Sequence, residues 1–215
     1  MFWDILDGTR ISVLKQSARL PVPGTYLAGG TALALQLGHR DSEDFDFFTP
    51  EPFDPDDVIA AWSELGELLV TDSRPGTVHG LLNGVRVTLI RYAAPMLGEW
   101  LTDDRIPGLR IASALDIALM KVIALSQRGA KKDFIDLYAI HHSVCPLDGV
   151  IDRLPEKFPG KRINYYHILK SFVYFDDAEQ EPTPNIRTSW TWDDVKSFFK
   201  RIQPVLLHRL EDSDR

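Results

Sequence analysis

Two aspartates one residue apart, Asp44 and Asp46, stand in the string "DFDFF" at 44 to 48, directly after Glu43. On a β-strand, side chains two residues apart point to one face, with Cα atoms about 6.6 Å apart. Asp44 and Asp46 then share a face, while Phe45 and Phe47 project the other way into a core. Two carboxylates that close are costly unless a cation neutralises them. Oxygen donors select a hard ion, Mg²⁺ first or Mn²⁺, which keeps waters and substrate phosphates in its remaining positions. Upstream lies the pair Gly29-Gly30, between a strand-like "TYLAG" and an apolar helix pattern. Glycine lets the backbone turn sharply and approach a ligand closely. A helix N-terminus there offers unpaired N–H groups to a phosphate, and Thr31 adds a hydroxyl. The order glycine pair, helix, acidic strand describes a triphosphate cradle; a tight turn followed by a solvated acidic strand is the ordinary alternative.

A second group of charges lies in "IALMKVIALSQRGAKKDFIDLYAI", 117 to 140. Lys121 is the one charge inside an apolar helix pattern. It must snorkel to an exposed face or meet an anion. Asp133 and Asp136 are i and i+3, so they share a helix face, and Arg128, Lys131 and Lys132 adjoin them. His141-His142 has no partner at metal-ligand spacing and reads as a helix end. Trp190 and Trp192 read as packing. His39 and Arg40 end the motif helix, where cations suit the C-terminal dipole, and Ser42 caps a turn.

These residues need elements to hold them. Residues 2 to 19 read as a helix interrupted by Gly8, and "PVPG" at 21 to 24 breaks it. A strand at "TYLAG", a helix at 30 to 38 and a strand at 44 to 48 follow, then a loop and a helix at 56 to 65. Three further strand patterns lie in "GELLVTDS", "GTVHGLLN" and "GVRVTLIRY". Asn83-Gly84 between two alternating runs predicts a tight hairpin with both residues at positive φ. That gives four or five strands in the first ~110 residues. From 113 the pattern is helical. Ser113 and Asp116 form a capping-box pair, and helices are expected near 148 to 157, 164 to 173 and 191 to 209. "EQEPTPN" at 179 to 185 is an irregular connection. The expectation is an α/β (α+β) lobe at 1–110 with a small mixed sheet, then an α-helical lobe at 111–215.

The chain has 215 residues, 44% hydrophobic and 26% charged, with a single cysteine, Cys145. One cysteine excludes an internal disulfide framework. No apolar run reaches the ~18 residues of a membrane span, and the N-terminus lacks a signal pattern, so a cytoplasmic protein is expected. Net charge is −7, which argues against bulk electrostatic capture of nucleic acid. The charge is uneven: −8 over residues 1 to 119, +4 over 120 to 170 and −3 beyond. A chance fluctuation in surface charge, or a basic stretch that meets phosphates, would produce this.

The spacing of Gly29-Gly30, thirteen residues, then Asp-x-Asp resembles the nucleotidyltransferase superfamily that includes DNA polymerase β. The fuller string "LAGGTALALQLGHRDSEDFDFF" is similar to the AbiEii/AbiGii-type toxins, through Gly29, Gly30, Thr31, Arg40, Ser42, Asp44 and Asp46. A second signature of that family matches Lys121, Arg128, Gly129, Lys132, Asp133 and Asp136. The resemblance spans residues 26 to 140. It implies that Asp44 and Asp46 hold Mg²⁺, that Gly29, Gly30, Thr31 and Ser42 line the nucleotide site, and that Lys121 reaches the phosphates. It makes Asp133 a base for the attacking hydroxyl or an organiser of Lys121, with Asp136 holding the helix pair and Arg40 and Lys132 in support. The activity implied is transfer of a nucleoside monophosphate from a nucleoside triphosphate to a hydroxyl of RNA, tRNA in particular, or of protein. The partners implied are that triphosphate, the acceptor and a cognate antitoxin, with no membrane and no sequence-specific DNA. One departure stands out. Superfamily members usually carry a third metal carboxylate on a later strand, and "GVRVTLIRY", 84 to 92, has none. A nucleotide-binding module that has lost catalysis is therefore the alternative. A metal-dependent glycosyltransferase is a third reading, and the glycine pair just before the acids argues against it.

Overall fold

The computed structural model describes residues 1–18, 20 and 22–213. The chain divides into two compact units, Met1–Ser113 and Ala114–Arg215.

The first unit is built on a six-stranded mixed sheet. In chain order its strands are β1 (Tyr26–Ala28), β2 (Phe45–Thr49), β3 (Leu68–Arg74), β4 (Thr77–Leu82), β5 (Val85–Arg91) and β6 (Arg110–Ile111). Their order across the sheet is β3-β4-β5-β2-β1-β6. Strand β2 runs antiparallel to β1 and parallel to β5, so the "DFDFF" string sits mid-sheet. Phe45 and Phe47 are fully buried and Asp46 half-buried, which is the expected alternation. The β4–β5 hairpin turns on Asn83 and Gly84, at φ 51° and 78°. Both positive values match the primed turn that suits strand twist. Strand β6 exceeds the expected four or five; at two residues it is too short to show periodicity.

The helix expected over 2 to 19 is instead a 3₁₀ turn, Trp3–Ile5, followed by α1 (Gly8–Ser17). Gly8 starts α1 rather than interrupting a longer helix, because Asp7 accepts the Arg10 N–H at 2.8 Å as the N-cap. Residue 19 of that expectation, and residue 21 of the breaker, lie outside the described residues. Helix α2 (Gly29–Leu37) connects β1 to β2. Helix α3 (Pro55–Ser63), capped by Asp54, buries Val58 and Trp62.

The second unit contains α4 (Ala114–Arg128), α5 (Lys131–Ser143), α6 (Leu147–Asp152), α7 (Leu154–Lys157), α8 (Tyr165–Ser171), α9 (Asp176–Gln180) and α10 (Trp192–Ser213). Its core holds an aromatic cluster. Phe134 of α5 meets Phe175 and Phe199 at 5.1 Å and Trp192 at 5.8 Å between ring centroids. Helix α9 takes the first two residues of the connection expected at 179 to 185. Asp116, read from sequence as half of a capping box, is fully buried against Lys157, with Nζ to Oδ1 at 2.8 Å.

Removing one partner of such a pair leaves a buried charge, at a cost of about 3–5 kcal/mol, whereas replacing both with apolar groups is often neutral. Asp116→Ala should therefore lose about that much stability in urea unfolding, and Asp116→Ala with Lys157→Met should regain most of it.

Candidate active site

In the first unit the carboxylates are placed by strand parity. Asp46 lies on the side of β2 opposite Phe45 and Phe47, and Asp44 directly precedes the strand, with its side chain about one-third exposed (32%). Glu43, the third acid of the run, is 76% exposed and turns to Arg10 of α1, at 3.7 Å.

Gly29 is pressed against Asp46. It has φ 70°, and a Cβ there would overlap Asp46 Oδ2 and lie 3.0 Å from its Cβ. A Cβ on Gly30 would lie 2.5 Å from Arg40 Nη2 and 3.3 Å from Ser42 Oγ. Gly29 is thus required by close approach and by its backbone angle, while at Gly30 a side chain would displace the end of Arg40. The N-cap of α2 is Ala28, which offers no side-chain acceptor to the first N–H groups of the helix.

Arg40 does not sit at the C-terminus of the motif helix, as expected, since α2 ends at Leu37. It returns beneath Gly30, 1% exposed, and donates to the Asp41 carbonyl at 2.8 Å. Thr31 reaches the site as a brace. Its buried hydroxyl bonds the Asp44 carbonyl, which can only accept, so Thr31 donates there and the Ser42 hydroxyl donates to Thr31 at 2.8 Å. Helix α2, the turn at 42 and the start of β2 are locked together by these two bonds.

Sequence reasoning missed Arg86. It lies on β5 with Nη1 3.2 Å from Asp44 Oδ2 and 64% of its side chain exposed. Thr88, two residues on, is the register partner of Asp46 and also of His79 on β4. His79 Nδ1 and Thr88 Oγ1 are 3.0 Å apart. The place on β5 level with Asp46 therefore carries a hydroxyl backed by an imidazole. Among the described residues no group of three or more His, Cys, Asp or Glu side chains could by itself hold a metal. The donor set that does exist, the half-buried carboxylates of Asp46 on β2 and of Asp44 just before it, suits an ion that takes its other ligands from water and phosphate.

In the second unit Lys121 is 6% exposed. Its Nζ lies 2.8 Å from Asp133 Oδ1 and 2.6 Å from Asp136 Oδ2, both carboxylates fully buried. The lysine thus meets anions, and Asp136 ties α5 to α4. Arg128 grips Asp133 with two bonds, Nε to Oδ2 at 2.8 Å and Nη2 to Oδ1 at 2.9 Å. Burial pushes the Asp133 carboxyl up, but Lys121 and Arg128 outweigh it and hold it below its ordinary value near 3.8. Lys132 is exposed; Lys131 is the buried one, bonding the Glu181 carbonyl at 2.6 Å. His141 Nδ1 accepts the Leu147 N–H at 3.1 Å, a helix-end role as expected.

Strand, glycine-started helix and acid-bearing central strand of a mixed sheet describe a nucleotidyltransferase fold. Solved structures agree on the fold. MenT4, a nucleotidyltransferase toxin of Mycobacterium tuberculosis H37Rv, matches with a TM-score of 0.55 and 14% identity, over 89% of this chain and 80% of that one. JHP933 of Helicobacter pylori matches at 0.54 and 16%, over 98% and 95%. The family model described as "Nucleotidyl transferase AbiEii toxin, Type IV TA system" matches residues 13–96. An uncharacterised Aquifex aeolicus (strain VF5) protein, aq_aa25, is 38% identical over 178 residues, 82% of this chain and 84% of that one. The chain belongs to the AbiEii nucleotidyltransferase family.

Gly29→Ala should lose nucleotide binding and cost about 1–3 kcal/mol, the scale of a non-glycine residue held in a sparse backbone region; calorimetry and nucleotide titration read the two effects. Asp133 has a depressed folded-state pKa, so its stabilisation is present above the unfolded value and is lost as pH falls through the folded one. The wild type should lose stability below about pH 4, and Asp133→Asn should lack that part of the acid limb in chemical unfolding.

Proposed function

We propose that the protein moves a nucleoside monophosphate from a nucleoside triphosphate to a hydroxyl of an RNA acceptor, tRNA first, or of a protein. It does so with Mg²⁺ or Mn²⁺, as a growth-blocking toxin restrained by a cognate antitoxin. The observation that carries this reading is the contact of Gly29 with Asp46. One glycine backbone brings an uncapped helix start and a carboxylate together, the two elements a metal–triphosphate requires.

Asp44 and Asp46 would hold the divalent ion, which when bound neutralises charge on the triphosphate. The N–H groups at the start of α2 hold phosphate oxygens. Ser42 and Thr31 keep that helix start fixed on β2, and Arg40 supports Gly30 from below. The acceptor hydroxyl oxygen attacks the α-phosphorus, its proton passing to solvent water, as the α–β bridging P–O bond breaks and pyrophosphate leaves with the electrons of that bond. Lys121, oriented by Asp133, would lend its positive charge to phosphate binding. With both oxygens engaged and a lowered pKa, Asp133 suits the organiser role better than that of a base. Asp136 and Lys132 have supporting places in the helix pair and on its surface.

The second reading, a nucleotide-binding module without turnover, is motivated by Thr88 standing level with Asp46 where an acid would complete a two-metal site. Pyrophosphate release with total RNA, Mg²⁺ and each triphosphate in turn separates the two; nucleotide binding with no release favours the module.

Asp44→Ala and Asp46→Ala should each abolish metal-dependent nucleotide binding while leaving the fold intact, and Asp44→Ala should be harmless where the wild type slows growth. Full activity in either variant would remove the metal assignment. Lys121→Ala should reduce transfer about 10²- to 10³-fold. Lys121→Arg should not restore it, since a forked guanidinium does not replace an ammonium between two carboxylates.

A further inference from the structure

We infer that a groove in the helical unit, between the end of α4 and one face of α8, is the binding site for a single-stranded RNA acceptor. The inference rests on the proposed transfer to RNA and identifies where that acceptor is held.

His167, Lys170 and Tyr174 fall at i, i+3 and i+7, one stripe running along α8 and into the turn after it. The opposite face buries Ile168, Leu169 and Phe172. The stripe and residues 125 to 129 of the α4 terminus line a cavity of 350 Å³. That is near the lower end of the ~300–1,000 Å³ typical of small-molecule sites, room for about one nucleotide unit. Its chemistry is that of a single-strand site, cations for the backbone and an aromatic face for a base. Lys170 is exposed, and Tyr174 is 50% exposed although aromatic. His167 is fixed by Nε2 at 2.9 Å from the Ser126 carbonyl, so Nε2 carries the proton and Nδ1 is the acceptor of the neutral ring. Asp177 is the acid of the lining, suited to accept from a ribose hydroxyl or a base amine.

Arg128 makes the groove more than a charged surface. Its side chain is 62% exposed and lines the cavity, while its guanidinium holds Asp133, which holds Lys121. A strand in the groove is thus two ion-pair links from Lys121, all within one unit. The charge distribution agrees: the chain is −7 overall, yet residues 120 to 170 are +4. The second unit as a whole, residues 114 to 215, is neutral, with 15 Lys or Arg against 15 Asp or Glu, while residues 1 to 113 are −7. RNA would be repelled by the first 113 residues and not by this unit, whose positive charge is concentrated in 120 to 170.

The test is fluorescence anisotropy of the full-length protein with a labelled short single-stranded RNA, between about 50 and 200 mM salt. Lys170→Ala should lower the log–log salt slope by about 0.7, the value for one phosphate contact on a single strand. Tyr174→Ala should weaken binding about 5- to 150-fold, the equivalent of losing one stacked base, and Tyr174→Phe should retain it. Triphosphate binding by the same variants should stay at the wild-type level. RNA binding unchanged in both Lys170→Ala and Tyr174→Ala overturns the groove while leaving the transfer reading intact. Equal competition by polyglutamate, with no effect of Tyr174→Ala, also overturns it and assigns the surface to an acidic protein. RNA binding that depends on both residues, with no pyrophosphate release from any triphosphate, supports the groove and removes the transfer reading instead.

Discussion

Strand β2 must be core on one face and carboxylate on the other, and the first unit is arranged around that demand. Phe45 and Phe47 fix the strand in the middle of the sheet, so Asp44 and Asp46 cannot move apart without unpacking it. Like charges held near each other need positive potential close by. The fold supplies it from three directions. The N-terminus of α2 abuts Asp46, Arg86 reaches Asp44 across the β2–β5 pair, and Arg40 lies buried beneath Gly30. Thr31 then pins helix to strand through a main-chain carbonyl rather than a carboxylate, which leaves the Asp44 carboxylate to its charged neighbours.

The helical unit solves the converse problem, cations inside an apolar helix packing. Two buried ion networks do this, and they differ in one respect. Lys157 and Asp116 are both wholly enclosed. Such a pair could be replaced by apolar side chains of similar volume at little cost. The Lys121–Asp133–Asp136 cluster instead extends to solvent through Arg128. Counted by formal charge the four groups cancel, so the cluster is stable as it stands. Its outermost member is also the one able to meet a ligand anion.

The parts of this arrangement that were legible in sequence are local ones. The alternation in "DFDFF" and the Asn83-Gly84 turn are decided by neighbours within a few residues, and both stand in the structure. The glycine pair was readable as a close approach, though not what approached it; Asp46 is 17 positions along the chain from Gly29. Arg86 escaped notice because its partner Asp44 is 42 residues away, and only the strand register brings them level. Arg40 was assigned to a helix end because dipole reasoning is local, whereas its burial under Gly30 follows from the chain doubling back after α2. The Asp116–Lys157 pair, 41 residues apart, was hidden for the same reason behind a plausible capping box. Charge pairs across elements are set by tertiary register, which residue spacing alone does not encode.

Register also defines what stands where a third acid would be. On β5 the residue level with Asp46 is Thr88, and on β4 the residue level with Thr88 is His79. Neither is an anion at neutral pH in its ordinary form. Near β2 the site therefore has two carboxylates, one of them already beside a guanidinium at 3.2 Å; the next acid in that register row, Asp72, is on β3 at the edge of the sheet. With Arg86 and Arg40 counted, the immediate formal charge is near zero before any ligand arrives. A bare divalent ion gains little there, because every added positive charge also meets the two guanidinium groups. An ion that comes with a triphosphate brings its own negative charge, and one or two protein carboxylates with substrate phosphates is the usual way Mg²⁺ is held. The uncapped start of α2, set against Asp46 by Gly29, lies on the side from which those phosphates would be received. In the proposed site, metal and nucleotide would depend on each other for binding, and the reduced acid count would couple them.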